Sequence, residues 1–105
     1  MISIKEGVDV RGLHPKIWEA IYLVDGLLNP RNIDTVITSG LEGKHSYGSL
    51  HYSGLAVDIR KRTILHADEM FSLIKELLPD AYDCVNEKTH YHIEYQPKTL
   101  EEVSI

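Results

Sequence analysis

A single cysteine, Cys84, stands in the 105 residues, which excludes an internal disulfide and any metal site built from thiolates. No apolar run approaches the ~20 residues a membrane-spanning helix requires, so no membrane partner is expected. Met1 to Asp9 mixes polar and apolar residues and lacks the charged start and continuous apolar stretch of a signal peptide. The chain is therefore expected to be soluble where it is made, in the cytoplasm. Basic residues are outnumbered: 11 Lys and Arg against 16 Asp and Glu leave a formal net charge of −5, with no basic cluster, which argues against general nucleic-acid binding. There is no internal repeat and no low-complexity block. Ser39-Gly40-Leu41-Glu42-Gly43-Lys44 is punctuated by glycine, but no helix pattern follows it, so it is not a phosphate cradle.

What is present fits one small domain over 1–105. A composition of 43% hydrophobic and 26% charged residues is ordinary for a globular chain. A core of this size is marginal, so a bound metal would add useful stability. Pro15 suits the first position of a helix whose stripe, Ile17, Ile21, Val24 and Leu28, runs to Asn29-Pro30. Trp18 adjoins that stripe and reads as core; His14 reads as a helix-start residue. Asp34 to Ser39, with four β-branched residues in a row, reads as a strand. Ala67, Met70, Phe71, Ile74, Leu77 and Leu78 mark a second amphipathic helix ended by Pro79, with His66 at its start as a surface or capping residue. A strand over Tyr82 to Asn86, a turn at Glu87-Lys88 and a returning strand over Thr89 to Tyr95 follow. Cys84 reads as a small apolar residue in the first of these. Beyond Pro97, residues 98–105 read as a loosely ordered tail.

Two stretches carry chemistry. In His45-Ser46-Tyr47-Gly48-Ser49-Leu50-His51-Tyr52-Ser53-Gly54-Leu55-Ala56-Val57-Asp58-Ile59-Arg60, the part from Leu55 onward alternates. Leu55, Val57 and Ile59 point one way, and Ala56, Asp58 and Arg60 the other, which is the period of a half-buried strand. A bend at Gly54 would bring His51 and Asp58 to one point. In Glu87-Lys88-Thr89-His90-Tyr91-His92-Ile93-Glu94-Tyr95, the residues His90, His92 and Glu94 share one face. Ionisable groups grouped in this way line either solvent or a site, because burial without partners is costly. The solvated-face reading suits Glu94, whereas the histidines, taken with His51 and Asp58, point to a metal. Mixed nitrogen and oxygen ligands suit Zn²⁺.

Ser49-x-His51-x-x-Gly54-x-Ala56-x-Asp58 with a late His90-x-His92 resembles the zinc metallopeptidases that cut peptidoglycan peptides. This superfamily takes in D-alanyl-D-alanine carboxypeptidases, L-alanyl-D-glutamate endopeptidases, lysostaphin-type enzymes and, by fold and metal site, the signalling domain of hedgehog proteins. The closest local likeness, Ser49-Leu50-His51-Tyr52 with Ala56-Val57-Asp58-Ile59, is to the hedgehog segment, and the likeness extends from about Val36 to about Tyr95. It implies an α+β fold: a small antiparallel sheet with two helices on one face and a zinc site on the other.

The resemblance also implies roles. His51, Asp58 and His92 would be the metal ligands of one zinc per chain, with a fourth position open. Glu87 is the candidate general base, with His90 as its rival for that role, and His90 and His45 are candidates to orient water or stabilise an oxyanion. Carboxypeptidases of the superfamily carry an Arg just after the equivalent of Ser39-Gly40. Here Leu41 and Glu42 follow, which favours an endopeptidase over a D,D-carboxypeptidase. Lys44, Arg60 and Ser49 are the candidate substrate-binding residues, with the two cations contributing general attraction to an acidic stem peptide. The expected function is thus hydrolysis of an amide bond in a peptidoglycan stem peptide, lytic or remodelling and resembling phage endolysins if released to the cell wall. The alternative is an inactive zinc-containing binding or signalling module of the same fold. The oligomeric state is open, and a monomer fits.

Overall fold

A computed structural model describes residues 1–42 and 50–96. Lys44, His45, Ser49 and the tail at 98–105 lie outside the described residues.

The elements follow from the patterning. The chain begins with β1 (Ile2–Ile4) and then forms α1 (Pro15–Leu28). Proline occupies the first helical turn of α1, and His14 caps it, its Nδ1 accepting from the Lys16 N–H at 3.1 Å. The stripe Ile17, Ala20, Ile21, Val24 and Leu28 is fully buried. A 3₁₀ turn at Asn29–Arg31 ends the helix, and β2 (Thr35–Ser39) and β3 (Ala56–Arg60) follow. Next come α2 (Ala67–Leu77), β4 (Tyr82–Asn86) and β5 (His90–Tyr95). Acidic Asp68 and Glu69 stand in the first turn of α2 and Lys75 in its last, each favoured by the helix dipole. His66 is exposed just before that helix and makes no side-chain capping bond.

The five strands form one sheet in the order β1-β2-β3-β5-β4. The architecture is α+β, but the sheet is mixed rather than purely antiparallel, because β1 runs parallel to β2. The reason is the connection. Between β1 and β2 the chain passes through all of α1, a crossover long enough to return a strand in the same direction. Three residues of β1 carry too little alternation to announce this. The other neighbours are antiparallel as expected.

Alternation along β3 and β5 gives the sheet two unlike faces. Val57, Ile59, Tyr91, Ile93 and Tyr95 point into the core formed with both helices. Two phenols tie the helices to the sheet: Tyr91 Oη donates to the Ala67 carbonyl at 2.6 Å, and Tyr82 Oη donates to the Lys16 carbonyl at 2.7 Å. Half-buried Trp18 and Cys84 pack against this core, and burial pushes the Cys84 thiol up to about 11, so it stays protonated. The opposite face carries Asp58, His92 and their neighbours. No helix among the described residues is long and apolar enough to cross a membrane.

Gly54 joins the two halves. Its φ of +75° is left-handed, its carbonyl accepts from the His14 N–H at 2.9 Å, and a Cβ there would collide with the Gly12 carbonyl. Gly26, inside α1, has open space around its Cα. We expect opposite signs from the same substitution. Gly54→Ala should destabilise by about 1–3 kcal/mol, whereas Gly26→Ala should stabilise by about 0.5–1 kcal/mol. Urea unfolding of the two variants would check both; equal effects would contradict the assignment of Gly54 as the constrained bend.

Candidate metal centre

Asp58 sits mid-strand on β3, and the register sets His92 of β5 directly opposite, with Arg60 opposite His90. Cross-strand partners share a face, so Asp58, His90, His92, Glu94 and Arg60 all lie on the side away from the helices. His51 arrives from a loop. Its turn is closed by the Gly54 N–H donating to the His51 carbonyl at 3.1 Å and the Leu55 N–H donating to the Leu50 carbonyl at 2.9 Å. The Tyr95 N–H, donating to the Leu55 carbonyl at 2.9 Å, fastens that loop to β5.

Here the three groups meet. One donor atom from each of His51, Asp58 and His92 lies within 4.8 Å of the others, so the cluster could hold a metal ion. His92 Nδ1 is 2.8 Å and His51 Nε2 3.4 Å from the same oxygen, Asp58 Oδ1. Ligands at ~2.0–2.1 Å around a tetrahedral ion stand about 3.3 Å apart, so these separations need only small adjustment. The second ring nitrogens are held from outside. His51 Nδ1 is 2.8 Å from the Gly40 carbonyl, an acceptor only, so Nδ1 carries a proton and Nε2 is the nitrogen turned to the cluster, where a metal would take its lone pair. His92 Nε2 is 2.8 Å from Glu94 Oε1, leaving Nδ1 toward Asp58. Each imidazole thus has the outer partner that metal-bound histidines ordinarily use. His51 and Asp58 are buried, which removes competing water.

The Gly40 carbonyl is itself clamped. Glu42 folds back so that Oε1 accepts from the N–H groups of Asp9 and Gly40, both at 2.8 Å, and Oε2 accepts from Ser39 Oγ at 3.0 Å. Burial alone would raise the Glu42 pKa, but these donors hold it below the usual value. The Leu41 N–H donates to the Asp9 carbonyl at 2.9 Å, and a Cβ on Gly40 would strike that carbonyl. Glu42 thus steadies, at one remove, the carbonyl that faces His51 Nδ1.

Other expected site residues are placed differently. His90 is half-exposed, with Nε2 3.5 Å from Asp58 Oδ2 and Nδ1 3.0 Å from Thr89 Oγ1. It borders the cluster. Glu87 is exposed at the β4–β5 turn, where its N–H donates to the His90 carbonyl at 3.0 Å. Its carboxylate makes no hydrogen bond or ion pair among the described residues, so it is not joined to the cluster as His90 is. Arg60 is half-buried at the end of β3. Glu94 and Glu42 were not marked as site residues by the sequence; for Glu94 the available signal was its i+2 spacing from His92 on one strand face.

Without metal, the cluster is a charge network. The hydrogen bond to Asp58 is the main force raising His92 to about 9, against the cost of its burial and with help from Glu94. Burial would raise Asp58, but hydrogen bonds from His51 and His92 outweigh it and hold the carboxyl well below the usual range. Compared with protein-family models and with curated proteins, the chain matches none.

Two predictions follow from the geometry. Glu94→Ala should keep the fold but weaken metal affinity about 10–100-fold, the usual cost of losing an outer-shell carboxylate; competition against a chelator measures it, and unchanged affinity would remove Glu94 from the centre. The second concerns pH. The contribution of His92 in the metal-free protein is complete below its ordinary 6.5 and is lost as pH rises through about 9. That of Asp58 is complete above its ordinary 3.8 and is lost as pH falls below it. Chelator-treated protein should therefore have its highest thermal midpoint between about pH 4 and 6.5. Metal-loaded protein should instead gain stability as pH rises, because binding needs a deprotonated imidazole. Thermal unfolding across pH with and without EDTA tests this; coincident profiles would contradict it.

Proposed function

We propose that the protein is a zinc-dependent peptidase hydrolysing an amide bond in peptidoglycan stem peptides, an endopeptidase rather than a D,D-carboxypeptidase. The observation that carries the reading is the convergence of His51, Asp58 and His92 with both imidazoles aimed by outer partners. Two nitrogens and one oxygen are a donor set that suits zinc and leaves a coordination position for chemistry. When bound, zinc supplies the Lewis acidity that activates water and polarises a carbonyl.

The chain's own residues supply the rest. Asp58 balances charge between the two imidazoles. Glu94 keeps His92 oriented through its Nε2, and Gly40 keeps His51 oriented through its Nδ1. His90, half-exposed beside Asp58 Oδ2, is the group best placed to move a proton or hold an oxyanion at the open side. Glu87 is the alternative base. It stands on the turn preceding His90 and would have to swing its carboxylate from solvent to the site. His45 is a further candidate from the loop leading to His51. The reading of an open groove rests on the lack of Arg at Leu41 and Glu42, since a free terminal carboxylate is best held by a bidentate guanidinium.

One observation favours a second reading, a zinc-containing binding module without catalysis: the exposed Glu87 has no contact with the cluster. The two readings part on one experiment. Zinc-loaded protein is incubated with purified muropeptides, and products are mapped by mass spectrometry for wild type, Glu87→Gln and His90→Ala. The peptidase reading expects an internal amide to be cut and at least one variant to lose ~10²-fold or more in rate, as removal of a general base does. Intact muropeptides that nonetheless bind would establish the module instead.

A further inference from the structure

Beside the cluster, on the same face of the sheet, lies a depression of about 250 Å³ lined by Lys5, Thr38, Arg60, Arg62, Thr89 and His90. His90 is the shared wall: its ring lines the depression while its Nε2 stands 3.5 Å from Asp58 Oδ2. Three of the six residues carry a permanent positive charge and none is acidic. Lys5, Arg60 and Arg62 make no ion pair among the described residues. Asp58 is committed to the histidines, Glu94 to His92 and Gln96, and Asp68 to Lys61 and Asn86, while the exposed Glu87 on the β4–β5 turn makes no ion pair with these cations among the described residues.

Cations with no carboxylate partner among the described residues are unusual in such a place. The chain has a net charge of −5, yet three of its 11 basic residues and no acidic one line this single concavity beside the candidate centre. Placement is also fixed from several elements. Arg60 is held opposite His90 by the β3–β5 register, and Thr38 Oγ1 is tied to the Asp58 carbonyl at 3.4 Å. Lys5 is held by its N–H, which donates to the Ile37 carbonyl at 3.0 Å. Guanidinium forks with an ammonium and two hydroxyls match a carboxylate, which accepts several hydrogen bonds in one plane.

We propose that this depression is a carboxylate-binding subsite, taking an acidic group that the substrate carries beside the bond held at the metal cluster. The identity of that substrate rests on the peptidase reading; the binding of a carboxylate does not. Arg60, Arg62 and Lys5 then determine specificity, where the sequence suggested only diffuse attraction for Arg60. The bound group is a side carboxylate next to the cluster, so the subsite is compatible with cleavage inside a peptide.

The test uses glutarate and its uncharged diamide, titrated into zinc-loaded, ¹⁵N-labelled protein and followed by amide chemical shifts. Glutarate should give saturable shifts at Lys5, Thr38, Arg60, Arg62 and Thr89, and the diamide none. Arg62→Gln or Lys5→Gln, both at exposed positions, should weaken glutarate about tenfold, the loss of one charge-assisted hydrogen bond. Shifts confined to the surroundings of His51 and His92, affinity unchanged in the variants, or a preference for inorganic phosphate would overturn the assignment. A second arm compares stem peptides with side carboxylates free or amidated. Wild type should prefer the free form about tenfold in kcat/KM, with the preference lost in Arg62→Gln. Glutarate binding in the depression without cleavage of either peptide leaves the subsite standing and defeats the peptidase reading. Cleavage without preference, and without glutarate shifts in the depression, defeats the subsite alone.

Discussion

The Asp58 carboxylate is the point on which the rest of this structure turns. One oxygen faces both His51 and His92, the other faces His90, and the whole group is buried on the polar side of a sheet whose other side is core. A buried carboxylate is costly unless paired. It is retained here because three imidazoles from two distant parts of the chain converge on it. That convergence explains why His92 holds its proton so firmly in the metal-free state, and why a divalent cation is the natural replacement for that proton.

The fold's task is to deliver those imidazoles. Two of them come from strand register: a slip of one residue between β3 and β5 would send His90 and His92 into the helices and Tyr91 and Ile93 into solvent. The core therefore locks the site. His51 needs a separate device, because it arrives from a loop. Gly54 turns that loop against the start of α1, and the Gly40 carbonyl, held by Glu42, selects the ring's tautomer. The parallel β1 completes the scaffold and brings Lys5 alongside Thr38 and Arg60. The candidate centre and its basic neighbour are consequently one construction, separated only by the His90 ring.

Much of this was legible in the residues. Alternation over Leu55 to Arg60 and His90 to Tyr95 marked both strands and put Asp58, His90 and His92 away from the core, while the choice of His51, Asp58 and His92 as a ligand set came from the resemblance of their motif. Helical spacing in Ile17, Ile21, Val24 and Leu28 likewise gave α1 its bounds. What stayed hidden has a common cause: it depends on backbone groups or on cross-chain neighbours that leave no residue-type signature. The Gly40 carbonyl is one such group. Glu42 looked like the mere lack of an Arg, and Glu94 like a solvated strand residue. A strand as short as β1 pairs by proximity, after a helical crossover that allows the parallel direction. Glu87 was suggested by the resemblance as a carboxylate beside the ligands, and the turn leaves it exposed.

The account's central claim is that His51, Asp58 and His92 together hold one metal ion, and the most direct measurement is a calorimetric zinc titration of chelator-stripped protein, run beside His51→Ala. The account predicts saturable binding at about one zinc per chain in the wild type, with loss of that binding in His51→Ala. A wild type that takes up no zinc, or a His51→Ala variant that binds it equally well, would contradict it.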